Sequence, residues 1–330
     1  MFRRVLDIIF QMNKRSRVYN LYWYFAAERQ NIFFKKIDGK SPPYSKDLIF
    51  NTYKFCNAYR ASDRVSQYLI KNVIYKHKRL SEKDVLFRVF LFRLFNKVGT
   101  WNSLESKLGV IKLKNFNRGK YSNVLSTIRG QGKPIYGSAY ILCANKVFGF
   151  EKKHDNHLAL LEKVFSKSEK YKTLLNSKSL EKLFLNLKSF PLIGDFMAYQ
   201  LAIDFNYSEV FNFDENDFTV AGPGALRGIK KCFVNINNKD SASVINHMVD
   251  NQDKEFKRLG IKFKNLWGRR LHSIDCQNLF CEVDKYTRVK YPKLKSSRIK
   301  IKFKYKPLNE QISYFYPPKW GINSKIPKTI

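Results

Sequence analysis

The segment FCNAYRASDRVSQYLIKNVIY, residues 55–75, sets amides, arginines and a carboxylate close together in an otherwise apolar stretch. At helical spacing Arg60, Arg64, Gln67 and Lys71 fall on one stripe, while Val65, Tyr68 and Leu69 face elsewhere. Asp63 follows Arg60 by one helical turn and adjoins Arg64. Asn57 and Gln67 carry amides that match base edges bidentately, and arginines match phosphates. Such a set supports recognition of a nucleobase with a carboxylate at hand. A solvated helix face with local ion pairs, each worth only tenths of a kcal/mol, accounts for the same residues.

Two glycine-bearing segments add to this. In SFPLIGDFMAYQLAIDFNYS, residues 189–208, helical patterns flank a turn containing Pro191 and Gly194. This is the pattern of a helix-hairpin-helix element, whose second helix aims its first backbone N–H groups at a DNA phosphate. That helix carries Tyr199, Gln200 and Asp204, the last two on one face. In DFTVAGPGALRGIKKCF, residues 217–233, Gly222, Pro223, Gly224 and Gly228 permit close backbone approach, and Arg227, Lys230 and Lys231 surround them with positive charge. It is not a Walker A loop: GxxxxGK followed by Ser or Thr occurs nowhere in these residues, so no P-loop kinase is encoded in them.

FRVFLFRLFNKVGTW, residues 87–101, is apolar nearly all round and predicts a buried helix, so Arg88 and Arg93 each need a carboxylate, several carbonyls or a ligand anion. Asp63 and Asp204 are candidate internal partners, and Asn96, Thr100 and Trp101 close the helix where a cleft could open. RRLHSIDCQNLFCEVDKYTRV, residues 269–289, crowds Asp275, Gln277, Asn278, Glu282, Asp284 and Lys285 among apolar residues, with Asn278 and Glu282 sharing a face. Cys276 and Cys281, with no CxxC or HxxH nearby, read as small buried hydrophobes and not as metal ligands. His154 and His157 lie in the charged stretch KKHDNH and read as surface residues, and no GxSxG signature or cofactor motif is present.

The elements that must position these residues read as mainly α. Apolar residues recur three and four apart over 47–78, as one long helix or two, and over 82–97, 155–170 and 179–188. An aromatic and basic segment, 1–46, precedes a helical body, 47–284, and a basic extension, 285–330, follows it. The extension holds 13 Lys or Arg and one Glu, a net +12 of the +35 carried by the 330 residues. Within it Arg298, Lys300, Lys302, Lys304 and Lys306 alternate with Ile299, Ile301, Phe303 and Tyr305, placing the cations on one face of an extended strand. That strand either tracks phosphates or is an edge protected by lysines, and the two are compatible. With 44% hydrophobic residues the chain has ample core material, so its charge points to a polyanionic partner and not to disorder. No apolar run is long enough to cross a membrane, the N-terminus does not read as a signal peptide, and five scattered cysteines fit reduced thiols in the cytoplasm.

Taken together, FCNAYRASDRVSQYLI, FRVFLFRLFNKVGTW, FPLIGDFMAYQLAIDFNYS, DFTVAGPGALRGI and IDCQNLFCEVDKY, spanning roughly 50–290, resemble a family of helical proteins of thymine hypermodification in phage and bacterial DNA. This is the alpha-glutamyl/putrescinyl thymine pyrophosphorylase group, also described as the helical domain found with 5-hydroxymethyluracil DNA kinases. The resemblance implies a helix-hairpin-helix DNA glycosylase-like helical bundle, here with a short basic extended C-terminal segment. It implies a protein that flips a thymine-derived base and supports group transfer at its 5-position, associated with nucleoid or phage DNA. A separate kinase or transferase subunit is an expected partner, because this chain lacks a P-loop. In helix-hairpin-helix glycosylases the catalytic aspartate follows the hairpin, which nominates Asp217 or Asp214, with Asp63 as a further carboxylate.

The same resemblance, joined to the residue types, assigns Asn57, Arg60, Arg64, Gln67, Arg93, Asn96, Tyr199, Gln200, Asp275, Gln277, Asn278 and Glu282 to a base pocket. Gly194, Gly222, Gly224, Arg227, Lys231, Lys300, Lys302 and Lys304 become DNA contacts. Two other functions are consistent with the sequence: a glycosylase that releases a modified base, and a DNA-binding protein without chemistry of its own.

Overall fold

The computed structural model describes residues 13–14, 16–140, 142–294, 297–298, 301, 303–306 and 312–327. Lys300 and Lys302 lie outside them. The described chain is mainly α-helical. In chain order the helices are α1 (Ser16–Ile37), α2 (Leu48–Thr52), α3 (Arg64–Tyr68), α4 (Glu82–Phe95), α5 (Val98–Leu108), α6 (Arg118–Gly130), α7 (Lys153–Phe165), α8 (Ser168–Leu175), α9 (Leu180–Lys188), α10 (Asp195–Asn206), α11 (Pro223–Cys232), α12 (Ser241–Arg258) and α13 (Ser273–Lys290). Two short strands, Asn13–Lys14 and Phe233–Val234, pair antiparallel.

The chain divides into two compact units: one holds the residues up to Asp63, Phe218–Tyr314 and Trp320 onward, and the other holds Arg64–Asp217 with Phe315–Lys319. This division differs from boundaries at 46/47 and 284/285. Residues 16–37 of the aromatic N-terminal segment form a core helix of the first unit, and the helical body contributes to both.

In the first unit, α1 has no Gly or Pro over 22 residues and ends on Lys35 and Lys36, which complement its dipole. Its aromatic face builds the core. Trp23 packs edge-on to Phe256 at 5.1 Å, Tyr22 on Phe280 at 4.7 Å, and Phe25 on Phe50 at 5.1 Å. Helices α11 and α13 pack backbone to backbone. A Cβ on Gly228 would stand 2.0 Å from the Phe280 carbonyl oxygen, and one on Gly224 would stand 2.8 Å from Cys281 Sγ. The close approach expected of this glycine-rich segment is therefore made to a helix of the same chain, at Gly224 and Gly228.

In the second unit, α4 is the central helix, buried from Asp84 to Phe95 as its all-round apolar pattern predicts. Ser81 caps its start, and Asn96 ends it in the left-handed conformation at φ 47°. Phe87 and Phe90 meet Phe165 of α7, and Phe92 meets Trp101 of α5. A turn through Pro191 and Gly194 joins α9 to α10. Lys319, from the C-terminal segment, donates to the carbonyls of Asn206 (2.5 Å), Ser208 (2.9 Å) and Phe211 (2.5 Å) at the end of α10.

Of the one long helix or two expected over 47–78, the single one does not form, and the two that do are short and separated by a non-helical segment. The chain leaves helix at Tyr53, makes a single 3₁₀ turn at Arg60–Ser62, and only then enters α3 and a π-helix, Leu69–Ile74. Arg60 and Arg64 consequently share no helical stripe, and they fall in different units. The carboxylates described below take the backbone N–H groups that a helix would have used. The expected 155–170 helix is two, α7 and α8. His154 and His157 are buried, against the surface placement expected of them. Tyr136 bonds His157 Nδ1 at 3.1 Å, and burial holds that imidazole down at about 4.

Candidate functional site

In the first unit three carboxylates organise the segment that replaces the expected helix. Glu282 Oε2 accepts the N–H of Cys56 at 3.0 Å, Asp63 Oδ1 that of Asn57 at 2.8 Å, and Asp275 Oδ1 that of Arg60 at 2.8 Å. Asn57 Nδ2 closes the turn on the Ser62 carbonyl at 2.8 Å. Arg29, from α1, forks into the same segment: Nε donates to the Cys56 carbonyl at 2.8 Å and Nη2 to Asn57 Oδ1 at 2.9 Å. Lys285, one turn after Glu282, donates to Glu282 Oε1.

The electrostatics follow from this packing. Burial pushes the Asp63 carboxyl up to about 6, with the N–H of Asn57 and the Arg29 guanidinium opposing and the Glu282 charge adding to the rise. Burial raises the Cys56 thiol, so it is a poor nucleophile. Burial works against the charge of Lys285, but Glu282 outweighs it and holds the ammonium above the usual lysine range. Burial also lowers Arg29, against the pull of Asp63, and burial together with the Arg29 charge pushes Lys36 down to about 8. Burial and the Asp63 charge carry Tyr314 up to about 12. A half-buried carboxylate titrating near 6 beside the Arg29 guanidinium is suited to accept a proton from an alcohol at neutral pH.

The second unit holds its own polar group. Arg93 Nε donates to Asp204 at 2.6 Å and Nη1 to Asn96 Oδ1 at 2.7 Å, and its guanidinium lies over Tyr140 at 4.8 Å. Arg88 is held by the carbonyls of Val73 (2.7 Å), Ile111 (3.0 Å) and Asn72 (3.2 Å), two of them at the open end of the π-helix. Both buried arginines thus meet internal partners.

A family model described as 5-hmdU DNA kinase, helical domain, matches residues 16–296. The chain belongs to this family. A curated 5-hmdU DNA kinase of Bacillus phage SP10 is 26% identical over 322 residues, which is 91% of this chain and 50% of that protein. The chain therefore spans about half the length of that relative. No solved structure matches.

The residues nominated from sequence divide between the two units of the chain. Asn57, Asp63, Asp275 and Glu282 are drawn together around 56–63, and Asn278 shares the α13 face with Asp275 and Glu282. Arg60 joins them through its backbone, its side chain buried. Gln277 lies on another face of α13, its amide on Cys281 Sγ at 3.8 Å. In the second unit Arg93 and Asn96 pair. Tyr199 and Gln200 are buried in α10, Gln67 Oε1 accepts the N–H of Phe315 at 2.8 Å, and Arg64 is exposed.

Asp214 and Asp217 stand exposed in one turn, where Asp214 Oδ1 accepts the N–H of Asn216 at 2.9 Å. Among the nominated DNA contacts, Lys231 is buried, with its ammonium 3.0 Å from Asp284 Oδ1 and donating to Thr287 Oγ1, so no face of it is presented to solvent phosphate. Arg227 shares Asp284 at 2.9 Å, and the bonds from Arg288 and Lys231 hold that carboxyl low despite its burial. Gly222 caps the start of α11 and Gly194 that of α10, and Gly194 has open space where a Cβ would be. Lys304 is exposed and bridges antiparallel to Tyr53, so the basic segment adds an extended stretch beside 52–54. Sequence reasoning passed over Arg29 and Lys36, which lie far from the motifs in an aromatic helix. Lys285 carried a usable signal, one helical turn after Glu282.

Proposed function

We propose that this chain is the base-holding part of a 5-hydroxymethyluracil modification system, with its reacting group received at the Asp63 cluster. The observation that carries the proposal is the half-buried Asp63 carboxyl titrating near 6 beside Arg29, in a chain whose family is described by 5-hmdU phosphorylation. The 5-substituent of a paired base points into the wet major groove, so the target base is turned out of the stack into a pocket that excludes water, at a cost of a few kcal/mol that stacking and phosphate contacts recover. The hydroxymethyl O–H then gives its proton to Asp63, its oxygen attacks the donor phosphorus, and the nucleoside diphosphate leaves. Arg29 and Lys285 balance the charge around the two carboxylates. The triphosphate is bound by a partner polypeptide, because these residues contain no P-loop.

The fold is read on the same basis as glycosylase-like, with the α9–α10 turn at Gly194 as the hairpin that meets a DNA phosphate. Exposed basic side chains such as Lys304 supply the salt-sensitive, sequence-independent affinity. Asp63, and not Asp214 or Asp217, is the assigned carboxylate, because the latter two sit exposed in a surface turn while Asp63 is half-buried beside Arg29.

The test is binding and turnover on duplexes that differ at one position. Tighter binding to 5-hydroxymethyluracil than to thymine, with enhanced fluorescence of a neighbouring 2-aminopurine, is expected, and phosphorylated nucleoside should form when the kinase part and ATP are supplied. Equal binding of the two duplexes would overturn the proposal. Release of free base, leaving abasic sites, would identify a glycosylase instead.

A further inference from the structure

Asp275, Asn278, Glu282 and Lys285 succeed one another along α13 at steps of three and four residues and form one stripe. The carboxylates on either side of Asn278 are bound to the 56–60 segment, Glu282 at Cys56 and Asp275 at Arg60. Asn278 therefore stands on the face of α13 that meets this segment, midway between its two anchoring points. It is 8% exposed, and its Nδ2 is buried with no hydrogen-bond partner among the described residues. A buried amide N–H without an acceptor is costly, and asparagine is a weak helix former, so neither packing nor propensity accounts for this residue here. The carboxylates beside it are already bonded to the segment's N–H groups. What is lacking is an acceptor from outside the chain.

We infer that Asn278 selects the ring of the extruded base: its Nδ2 donates to the 4-carbonyl of a uracil-type pyrimidine. This rests on the base-holding reading above. The 4-carbonyl and the 5-hydroxymethyl group sit on adjacent ring atoms, so a donor to the first belongs beside the base that serves the second. Asp63 bonds Asn57, which lies between the Cys56 and Arg60 positions where the carboxylates flanking Asn278 hold the segment. A cytosine ring carries an amine at that position and would set donor against donor, a mismatch that a site built to hydrogen-bond rejects strongly.

The experiment compares the native chain with Asn278→Ala and Asn278→Asp on three oligonucleotide duplexes that carry 5-hydroxymethyluracil, thymine or 5-hydroxymethylcytosine opposite an abasic site, so that no base pair need be broken. The native chain should prefer hydroxymethyluracil to hydroxymethylcytosine by about tenfold or more. N278A should weaken both uracil-type duplexes by about tenfold and leave hydroxymethylcytosine and the ratio of hydroxymethyluracil to thymine unchanged. N278D, nearly isosteric, offers an acceptor and should shift preference toward hydroxymethylcytosine. Equal weakening on all three duplexes would mean a purely structural residue and would overturn the inference. So would native binding that ignores the uracil-to-cytosine change, a measurement that needs no variant to fold. Native binding that ignores the hydroxymethyl group instead would remove the base-holding reading itself.

Discussion

Glu282 Oε2 accepts the backbone N–H of Cys56 at 3.0 Å across 226 positions of sequence. The same carboxylate holds Lys285, so one side chain fixes both the backbone of the 56–60 segment and a cation beside it. Glu282→Ala leaves a backbone N–H and an ammonium without their acceptor. Because Lys285 is a third exposed, the loss should fall short of a fully buried pair, at about 2–3 kcal/mol in urea unfolding. Glu282→Gln, which keeps an acceptor for Cys56, should lose less.

Asp63 gives a pH dependence whose sign is fixed by its raised carboxyl. Folded near 6 and unfolded near the ordinary aspartate value, it binds its proton more tightly in the native state. Its contribution to stability is therefore greatest in acid and is lost as pH rises through the window from about 4 to 6. With Asp63 as the proton acceptor proposed above, turnover should run the other way, with an acid limb near pH 6, since the proton-accepting form is the carboxylate. Asp63→Asn should abolish that limb together with most turnover, about 100-fold or more, while its melting temperature at pH 7.5 holds or rises.

Arg93 and Asp204 form a buried ion pair at 2.6 Å, 1% and 0% exposed. Asp204→Ala strands a guanidinium and should cost about 3–5 kcal/mol by chemical denaturation. Arg93→Met combined with Asp204→Leu removes both charges and should recover much of that loss. If the double variant is no better than the single, the residual cost lies in the Asn96 and Tyr140 contacts of Arg93.

Two glycines of the same sequence-level appearance should behave oppositely. Gly228→Ala drives a Cβ to 2.0 Å from the Phe280 carbonyl oxygen, and the α11–α13 contact must open. A loss of about 3 kcal/mol or more in thermal unfolding is expected. Gly194→Ala meets open space at an ordinary backbone conformation and should leave stability within about 1 kcal/mol. If a DNA phosphate approaches the start of α10, Gly194→Ala should nevertheless weaken DNA binding, a separation that anisotropy titration would read directly.

The helical class, the burial of α4 and the turn between α9 and α10 were legible because they depend on local periodicity and punctuation. The partner of Arg93 was also legible, since a buried guanidinium has few ways to be satisfied and Asp204 was one of the acids available. The segment around Cys56 was not. Its residues carry a helical pattern, and only contacts from Glu282 and Asp275, distant in sequence, override it. Arg29 was hidden for the same reason: nothing near it in α1 signals that its side chain reaches Cys56 and Asn57. The glycines of 222–228 announced a close approach without saying to what, and a helix of the same chain satisfies the pattern as well as a phosphate would.

Lys319 occupies the place that a bound monovalent cation would take at the end of α10, coordinated by carbonyl oxygens and carried there by the chain itself. It is in effect a tethered counter-ion. The formal charge of +35 already subtracts the carboxylates that pair with Arg93 and Lys231, but it counts in full Arg88 and Lys319, whose charges are held by backbone carbonyls at helix ends. Acetylation of Lys319 would take one charge from the total, but its larger effect would be to uncap a core helix. A modification that resembles tuning of DNA affinity would act instead as a lesion in folding.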